Sequence, residues 1–154
     1  MQLFLDCDGV LADFDARAIE VLGMNPRDFE EKKGTAEFWR IIEKTPDFFY
    51  TLQPMAGAFD LVDAVAHLKP IILTGVPQGS WAIGQKLRWG QKYFPELEMW
   101  TCRSKDKIKL ANPGDIIVDD WLKHRQKWID GGGIWVTHTS AWDSIRQLKE
   151  LGVI

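Results

Sequence analysis

Four short apolar runs divide the chain, and each of them ends in polar residues. They span residues 2–6, 70–74, 115–119 and 133–137. The apolar residues follow one another without alternating with polar ones, which is typical of strands that are buried on both faces of a parallel sheet. A fifth strand is predicted at residues 97–102. The hydrophobic pattern therefore predicts a sheet of parallel strands.

Segments with helical spacing separate these runs. Apolar residues recur at three- and four-residue intervals around positions 59–66 and 83–90. Ser140 is predicted to cap the last helix, with Asp143 three residues on, and Gly152 is predicted to end it. Strands that alternate with helices predict an α/β fold, a doubly wound, Rossmann-like parallel sheet in one domain over residues 1–154.

One interval breaks this alternation. Residues 17–57 are too many for a single crossover between strands, and they are rich in aromatic residues and in helix and turn signals. We predict a small helical cap inserted after the first strand and lying over the edge of the sheet. The alternative is an ordinary additional layer of helices.

Composition narrows the possible functions. Of the 154 residues, 45% are hydrophobic and 27% are charged, which excludes a disordered or fibrous protein. The net charge of −3 gives no basic excess for duplex nucleic acid, and no apolar stretch approaches the ~20 residues of a membrane span. No signal peptide is recognisable, so we expect a cytoplasmic protein. Cys7 and Cys102 lack metal-site spacing and are expected to be reduced thiols.

The strongest chemical signal directly follows the first strand. Asp6 and Asp8 flank Cys7, and Gly9 allows a tight turn at this point. In open α/β sheets, ligands bind outside the carboxyl ends of the strands. Two carboxylates at this spacing repel each other unless a cation or a shared proton relieves them. Mg²⁺ is the natural cation for such oxygen ligands.

Three further groups of polar residues follow at later points in the chain. Thr74 and the amide of Gly75 form a small donor cluster suited to a phosphate oxygen. Asp119 and Asp120 end another strand, and their two adjacent carboxylates repel each other unless a cation or a lysine lies nearby. Upstream of them lie Lys105, Lys107 and Lys109, of which one is expected to reach the acidic residues and the others to be solvated.

The order of these motifs resembles that of the haloacid dehalogenase-like phosphatase superfamily. An Asp-x-Asp strand, a Thr strand, a lysine and an Asp-Asp strand follow one another, as they do in that superfamily. The resemblance implies the strand order 3-2-1-4-5, with the Asp6 strand in the centre and the Thr74 and Asp119 strands beside it. All four motifs would then meet at one edge of the sheet.

Within that superfamily the chain is more similar to the 5'(3')-deoxyribonucleotidases. The similar stretches are residues 8–14, 38–39, 48–58, 89–94 and 117–120. The sequence departs from the family pattern in four places. Gly75-Val76-Pro77 follows the motif threonine, no lysine follows Pro77 closely, and Trp121 follows the aspartate pair. The spacing from Lys107 to Asp119 is also about two residues longer than in the family, whereas Lys109 would restore it. These departures fall near the phosphate and the substrate.

The resemblance implies a Mg²⁺-dependent phosphomonoesterase of nucleoside monophosphates. Asp6 would be the nucleophile that forms an aspartyl-phosphate, and Asp8 the general acid and base. Thr74, Gly75 and Lys107 would bind the phosphoryl oxygens, with Lys109 as the alternative lysine. The implied metal ligands are Asp6, the carbonyl of Asp8, Asp119 and Asp120, and the residues implied around the base are Phe14, Phe38 and Trp39.

Two other interpretations stay open at this stage. One is a phosphatase with a small cap that acts on a different phosphomonoester. The other is a phospho-receiver binding module, which also uses clustered aspartates, a threonine and a lysine on a doubly wound sheet. A receiver carries its acidic pair on the first strand, whereas the pair here follows a later one.

Overall fold

A parallel sheet of five strands forms the centre of the computed structural model, which describes residues 1–154. The strands are β1 (Leu3–Leu5), β2 (Ile71–Gly75), β3 (Met99–Cys102), β4 (Ile116–Asp119) and β5 (Ile134–Thr137). Their order is β3-β2-β1-β4-β5, and every neighbouring pair is parallel. This confirms the predicted fold class and strand order, and the predicted strand bounds differ by one or two residues.

The central strand is buried on both of its faces. Leu3 and Leu5 pack into the larger core on one side of the sheet, and Phe4 packs into the smaller core on the other side. Phe4 pairs with Ile71 of β2 and with Ile117 of β4. Burial on both faces explains why this strand is apolar at every position.

Seven α-helices surround the sheet. They are α1 (Phe14–Leu22), α2 (Pro26–Lys33), α3 (Thr35–Lys44), α4 (Ala58–Val65), α5 (Trp81–Tyr93), α6 (Arg125–Asp130) and α7 (Ala141–Glu150). The predicted cap of α7 is confirmed, since the Ser140 hydroxyl accepts a hydrogen bond from the Asp143 amide at 3.1 Å. No helix has the length and apolar character that a membrane crossing requires.

The long interval after β1 is helical, as the sequence predicts. It holds the end of α1, all of α2 and α3, and a turn at residues 46–51. Phe38 packs edge-on against Trp39, with ring centroids 4.9 Å apart, and Phe14 contacts Phe38 at 6.3 Å. Phe29 of α2 also contacts Phe38, at 6.4 Å, so Phe38 joins α3 to both α1 and α2. The exact bounds of a cap at residues 17–57 stay a prediction.

Candidate active site

The predicted motifs meet at the carboxyl edge of the sheet. Asp6 directly follows β1, Gly75 ends β2 and Asp119 ends β4. Because β1 lies between β2 and β4, these three strand ends are neighbours. A cleft of about 1700 Å³ opens here, between the sheet edge and the helices of the interval 17–57.

The loop after β1 brings its backbone close to the opposing aspartate. The Cys7 carbonyl accepts hydrogen bonds from the amides of Leu11 and Ala12, at 2.8 and 2.9 Å. Gly9 has a φ of +84°, and a Cβ added there would lie 2.0 Å from Oδ2 of Asp120. Glycine is therefore required at this position both for its conformation and for the space that it leaves.

Three carboxylates and one lysine form the acidic part of the site. Lys107 Nζ donates hydrogen bonds to Asp6 Oδ1 at 2.8 Å and to Asp119 Oδ2 at 3.1 Å. Asp6, Asp119 and Asp120 each offer an oxygen within 4.8 Å of the others. Lys109 is exposed instead and pairs with Asp106. Of the two candidate lysines, the structure therefore brings Lys107, and not Lys109, to Asp6 and Asp119.

The electrostatics of this cluster favour a bound cation. Burial, followed by repulsion from Asp6, raises the pKa of Asp119 to about 7. The pKa of Asp120 rises to about 8, because of burial and because of repulsion from Asp6 and Asp119. Burial disfavours the Lys107 cation, yet Asp6 and Asp119 outweigh it and raise the pKa of this lysine.

A divalent cation fits this donor set. The three carboxylates and the Lys107 cation leave a formal charge of −2 when all are ionised. All the available ligand atoms are hard oxygens, which suit a cation such as Mg²⁺. The cluster contains the predicted ligands Asp6, Asp119 and Asp120, and Asp8 lies beside it on the same loop.

A second lysine, which the sequence analysis missed, holds the other aspartate. Lys86 Nζ donates to Asp8 Oδ2 at 2.7 Å and to Thr74 Oγ1 at 2.8 Å. Its side chain is only 2% exposed, because it lies on the buried face of α5 between Ala82 and Trp89. The signal that would have identified it is a lysine within the apolar face of a predicted helix, where a charged side chain needs a partner.

The other oxygen of Asp8 is left without a protein partner. Asp8 lines the cleft, and its Oδ1 is a buried side-chain oxygen with no hydrogen bond. Burial raises the pKa of Asp8, although Lys86 acts in the opposite direction. Asp8 thus has one oxygen held by Lys86 and one buried oxygen whose hydrogen-bonding capacity is not used within the protein.

The predicted phosphate donors differ in their exposure. Gly75 lines the cleft, and a Cβ added there would lie 2.0 Å from the hydroxyl oxygen of Ser104. Ser104 itself lines the cleft and was missed from the sequence. Thr74 is 1% exposed and is not part of the lining, since its hydroxyl lies below the surface against Lys86.

Aromatic side chains form the wall of the cleft on the side of the helical interval. The predicted residues Phe14, Phe38 and Trp39 all line it, although Phe38 is only 2% exposed and is largely a packing residue. Phe49 and Trp81 also line this wall and were not predicted. The Trp81 ring centroid lies 5.6 Å from that of Phe49 and 6.5 Å from that of Trp39.

Trp121, which stands where the family pattern has a basic residue, lies at the mouth of the cleft. Its backbone amide donates to Asp119 Oδ1 at 3.0 Å, and 52% of the residue is exposed. The backbone of Trp121 therefore helps to orient Asp119, while Lys123 Nζ lies over the Trp121 ring, 5.3 Å from its centroid.

Comparison with known proteins supports the resemblance seen in the motifs. No protein-family model matches the chain. A protein of Acanthamoeba polyphaga mimivirus named as a 5'(3')-deoxyribonucleotidase is 30% identical over 146 residues, covering 78% of this chain and 63% of that protein. The mitochondrial 5'(3')-deoxyribonucleotidase of Mus musculus is 24% identical, over 78% of this chain and 64% of that protein. The chain thus spans less than two thirds of the length of these relatives.

The fold is also found among solved structures. A haloacid dehalogenase-superfamily hydrolase from Ehrlichia chaffeensis superposes with a TM-score of 0.62 at 10% sequence identity. The match covers 97% of this chain and 96% of that protein. The expected resemblance is confirmed: the fold is that of haloacid dehalogenase-superfamily hydrolases, and the relatives in sequence are named as deoxyribonucleotidases.

Proposed function

Because the chain has the fold of haloacid dehalogenase-superfamily hydrolases, we propose that it is a metal-dependent phosphomonoesterase that acts through an aspartyl-phosphate. The observation that carries this proposal is the pair of lysine-held aspartates. Lys107 contacts Asp6, and Lys86 contacts Asp8, so two adjacent carboxylates have different surroundings. Carboxylates with different surroundings are suited to different roles in one reaction.

In the first step, a carboxylate oxygen of Asp6 attacks phosphorus while the bond to the alcohol oxygen breaks. Lys107 holds Asp6 from its Oδ1 side and contributes positive charge next to the transferring group. The backbone amide of Gly75 and the hydroxyl of Ser104 line the cleft here, and both are hydrogen-bond donors for phosphoryl oxygens.

Asp8 transfers the protons in both steps. Its Oδ1, which has no protein partner, gives a proton to the leaving alcohol oxygen. In the second step Asp8 takes a proton from the water that attacks the aspartyl-phosphate, which regenerates Asp6 and releases inorganic phosphate. Lys86, which is itself held by the Thr74 hydroxyl, keeps Asp8 in one orientation throughout.

Asp6, Asp119 and Asp120 would hold the cation, together with the carbonyl of Asp8. When bound, Mg²⁺ supplies positive charge that offsets the repulsion between the Asp6 carboxylate and the anionic substrate. Because Gly9 has no side chain, the Asp120 carboxylate can lie close to the loop after β1 and to the other proposed ligands.

Hydrolysis of 4-nitrophenyl phosphate tests the activity and its need for metal. We expect turnover with Mg²⁺ and a loss of at least about 100-fold in excess chelator, because the carboxylates would then repel the substrate. Mg²⁺ added back should restore the rate, and it should also raise the Tm, since it binds the folded state alone. Turnover that persists at the same rate in chelator would exclude the metal-dependent mechanism.

We propose that the substrate is a (deoxy)nucleoside monophosphate, most favourably a pyrimidine deoxynucleotide. The names of the relatives support a nucleotide, and so do the aromatic faces of the cleft. Stacking a base on an aromatic side chain contributes ~1–3 kcal/mol. A phosphatase of this fold that acts on another phosphomonoester is the alternative. The cytoplasmic location stays a prediction.

Trp39→Ala tests the assignment of the substrate. The native protein is expected to cleave dUMP and dTMP with a higher kcat/KM than glucose 6-phosphate. In the variant, the ratio of kcat/KM for these nucleotides to kcat/KM for glucose 6-phosphate should fall about tenfold. Hydrolysis of 4-nitrophenyl phosphate should be retained, because the substitution removes the stacking surface and leaves the catalytic residues in place. Trp142→Ala is the matched control, since Trp142 is 59% exposed and lies outside the cleft. Equal efficiency of the native protein on nucleotides and glucose 6-phosphate would favour the alternative.

A further inference from the structure

One wall of the cleft carries several cations that the proposed reaction does not use. Arg103 and Lys105 lie at the start of the segment that follows β3, and Lys123 and Lys127 lie in the segment that follows β4. All four line the cleft together with Asp6, and all four are exposed. None of the four forms a salt bridge. We refer to these four residues as the basic wall.

The two segments that carry these cations pack against each other, and all four cations line the same cleft. A Cβ added at Gly131, at the end of α6, would lie 2.6 Å from Cδ1 of Ile108 in the segment after β3. Asp106 is the acidic residue of that segment, and its carboxylate pairs with Lys109 at 3.0 Å. That pairing lowers the pKa of Asp106, and the nearby cations of Lys105 and Lys127 lower it further. Asp106 is thus paired with a lysine outside the basic wall, and this single carboxylate offsets only part of the charge of the four cations.

The basic wall begins close to the reaction centre. Burial, together with the cations of Lys127, Lys123 and Lys107, lowers the pKa of His124, which also lines the cleft. His124 therefore lies within electrostatic range both of the basic wall and of Lys107, the lysine that contacts Asp6. An anion bound to the basic wall would lie in the same cleft as Asp6.

The opposite wall does not share this charge. Its two arginines that line the cleft are paired, Arg27 with Asp15 at 3.2 Å and Arg40 with Glu37. The chain as a whole has a net charge of −3, so the basic wall is a local concentration of positive charge and not a reflection of composition. A nucleoside monophosphate delivers its one phosphate to the reaction centre and its base to the aromatic wall, which leaves the basic wall without an anion.

The size of the cleft permits a larger ligand. At about 1700 Å³ it exceeds the range of about 300–1,000 Å³ that is usual for small-molecule sites. Phosphate groups are among the anions that arginine and lysine side chains bind through charge-assisted hydrogen bonds.

We propose that the basic wall is a subsite for a second phosphoryl group, so that the preferred substrate is a nucleoside bisphosphate. One phosphate occupies the reaction centre and is released by hydrolysis with one water molecule. The other lies against Lys123 and Lys127 and remains on the product, a nucleoside monophosphate. This inference rests on the proposed phosphomonoesterase function and specifies its substrate.

The test compares kcat/KM for thymidine 3',5'-bisphosphate and dTMP, with Mg²⁺ at a fixed ionic strength. The native protein should prefer the bisphosphate by about tenfold, as two partly exposed ion pairs allow. In the double variant Lys123→Gln/Lys127→Gln, this ratio should fall to about one. The control Lys32→Gln/Lys33→Gln removes the same charge from exposed positions outside the cleft and should keep the native ratio.

The possible results separate the subsite from the activity itself. A ratio near one in the native protein, or a ratio that the double variant leaves unchanged, overturns the subsite while hydrolysis of 4-nitrophenyl phosphate still supports the phosphatase. An oligothymidylate with a 3'-phosphate that is preferred to the bisphosphate also overturns the proposal, in favour of a strand end as the occupant. If none of these esters is hydrolysed, the proposed function fails, and the subsite proposal fails with it.

Discussion

Asp6→Asn should abolish turnover and covalent phosphate labelling of the protein. An amide is a poor nucleophile, so kcat is expected to fall by at least about 10⁴-fold. Trapping of the phosphorylated protein in acid, followed by peptide mass spectrometry, should detect label on Asp6 of the native protein and none in the variant. The fold should survive, because Lys107 keeps its contact with Asp119 in the variant.

Asp8→Asn provides the contrast to Asp6→Asn. It should slow both steps but still allow Asp6 to be phosphorylated by an ester with a good leaving group, such as 4-nitrophenyl phosphate. Lys86→Met should likewise slow the hydrolysis of esters with poor leaving groups more than that of 4-nitrophenyl phosphate. The reason is that Lys86 orients Asp8 and contacts no other carboxylate. Asp63→Asn, at an exposed position of α4 outside the cleft, is the control. Substantial activity in Asp6→Asn would mean that Asp6 is not the nucleophile.

Lys107→Met is expected to have the second large effect. Lys107 is the cation that bridges Asp6 and Asp119, and only 9% of its side chain is exposed. Removal of one partner from a buried ion pair costs about 3–5 kcal/mol, so the free energy of unfolding should drop when metal is absent. The kcat/KM for 4-nitrophenyl phosphate should fall by about 10³-fold, because positive charge beside the transferring phosphoryl group is lost.

Lys109→Met is the matched control for this variant. Lys109 is two residues away, 75% of its side chain is exposed, and it pairs with a surface carboxylate. We expect changes of about 0.5 kcal/mol in stability and of about twofold or less in kcat/KM. Denaturant unfolding in chelator and steady-state kinetics measure both quantities. A larger loss of activity in Lys109→Met than in Lys107→Met would reverse the assignment of the lysine.

Much of the architecture follows from local patterns in the sequence. Apolar runs that end in Asp6, Thr74 and Asp119 identify three parallel strands and their functional ends, because a strand buried on both faces must be apolar until it leaves the core. The Ser140 cap was also predictable, since a cap involves residues only three positions apart. Interactions of short range in the chain are the ones that a sequence pattern records.

The choice between Lys107 and Lys109 was predictable from the sequence only in part. The sequence indicated that one lysine of the run reaches the acidic residues, but it left the register open. In the structure this segment is a 3₁₀ helix spanning Ser104–Leu110. With three residues per turn, positions 107 and 109 point in different directions, so only one of them can face Asp6.

Other features of the site depend on tertiary structure alone. Lys86 is 78 residues from Asp8 in the chain, and its contact exists because α5 packs its apolar face, lysine included, onto the sheet. Trp81 and the basic wall join the cleft for the same reason, since separate segments converge on one edge of the sheet. The sequence by itself determined which strands end in reactive groups. Which side chains surround those groups was decided by packing between distant segments, because no periodicity in the chain encodes it.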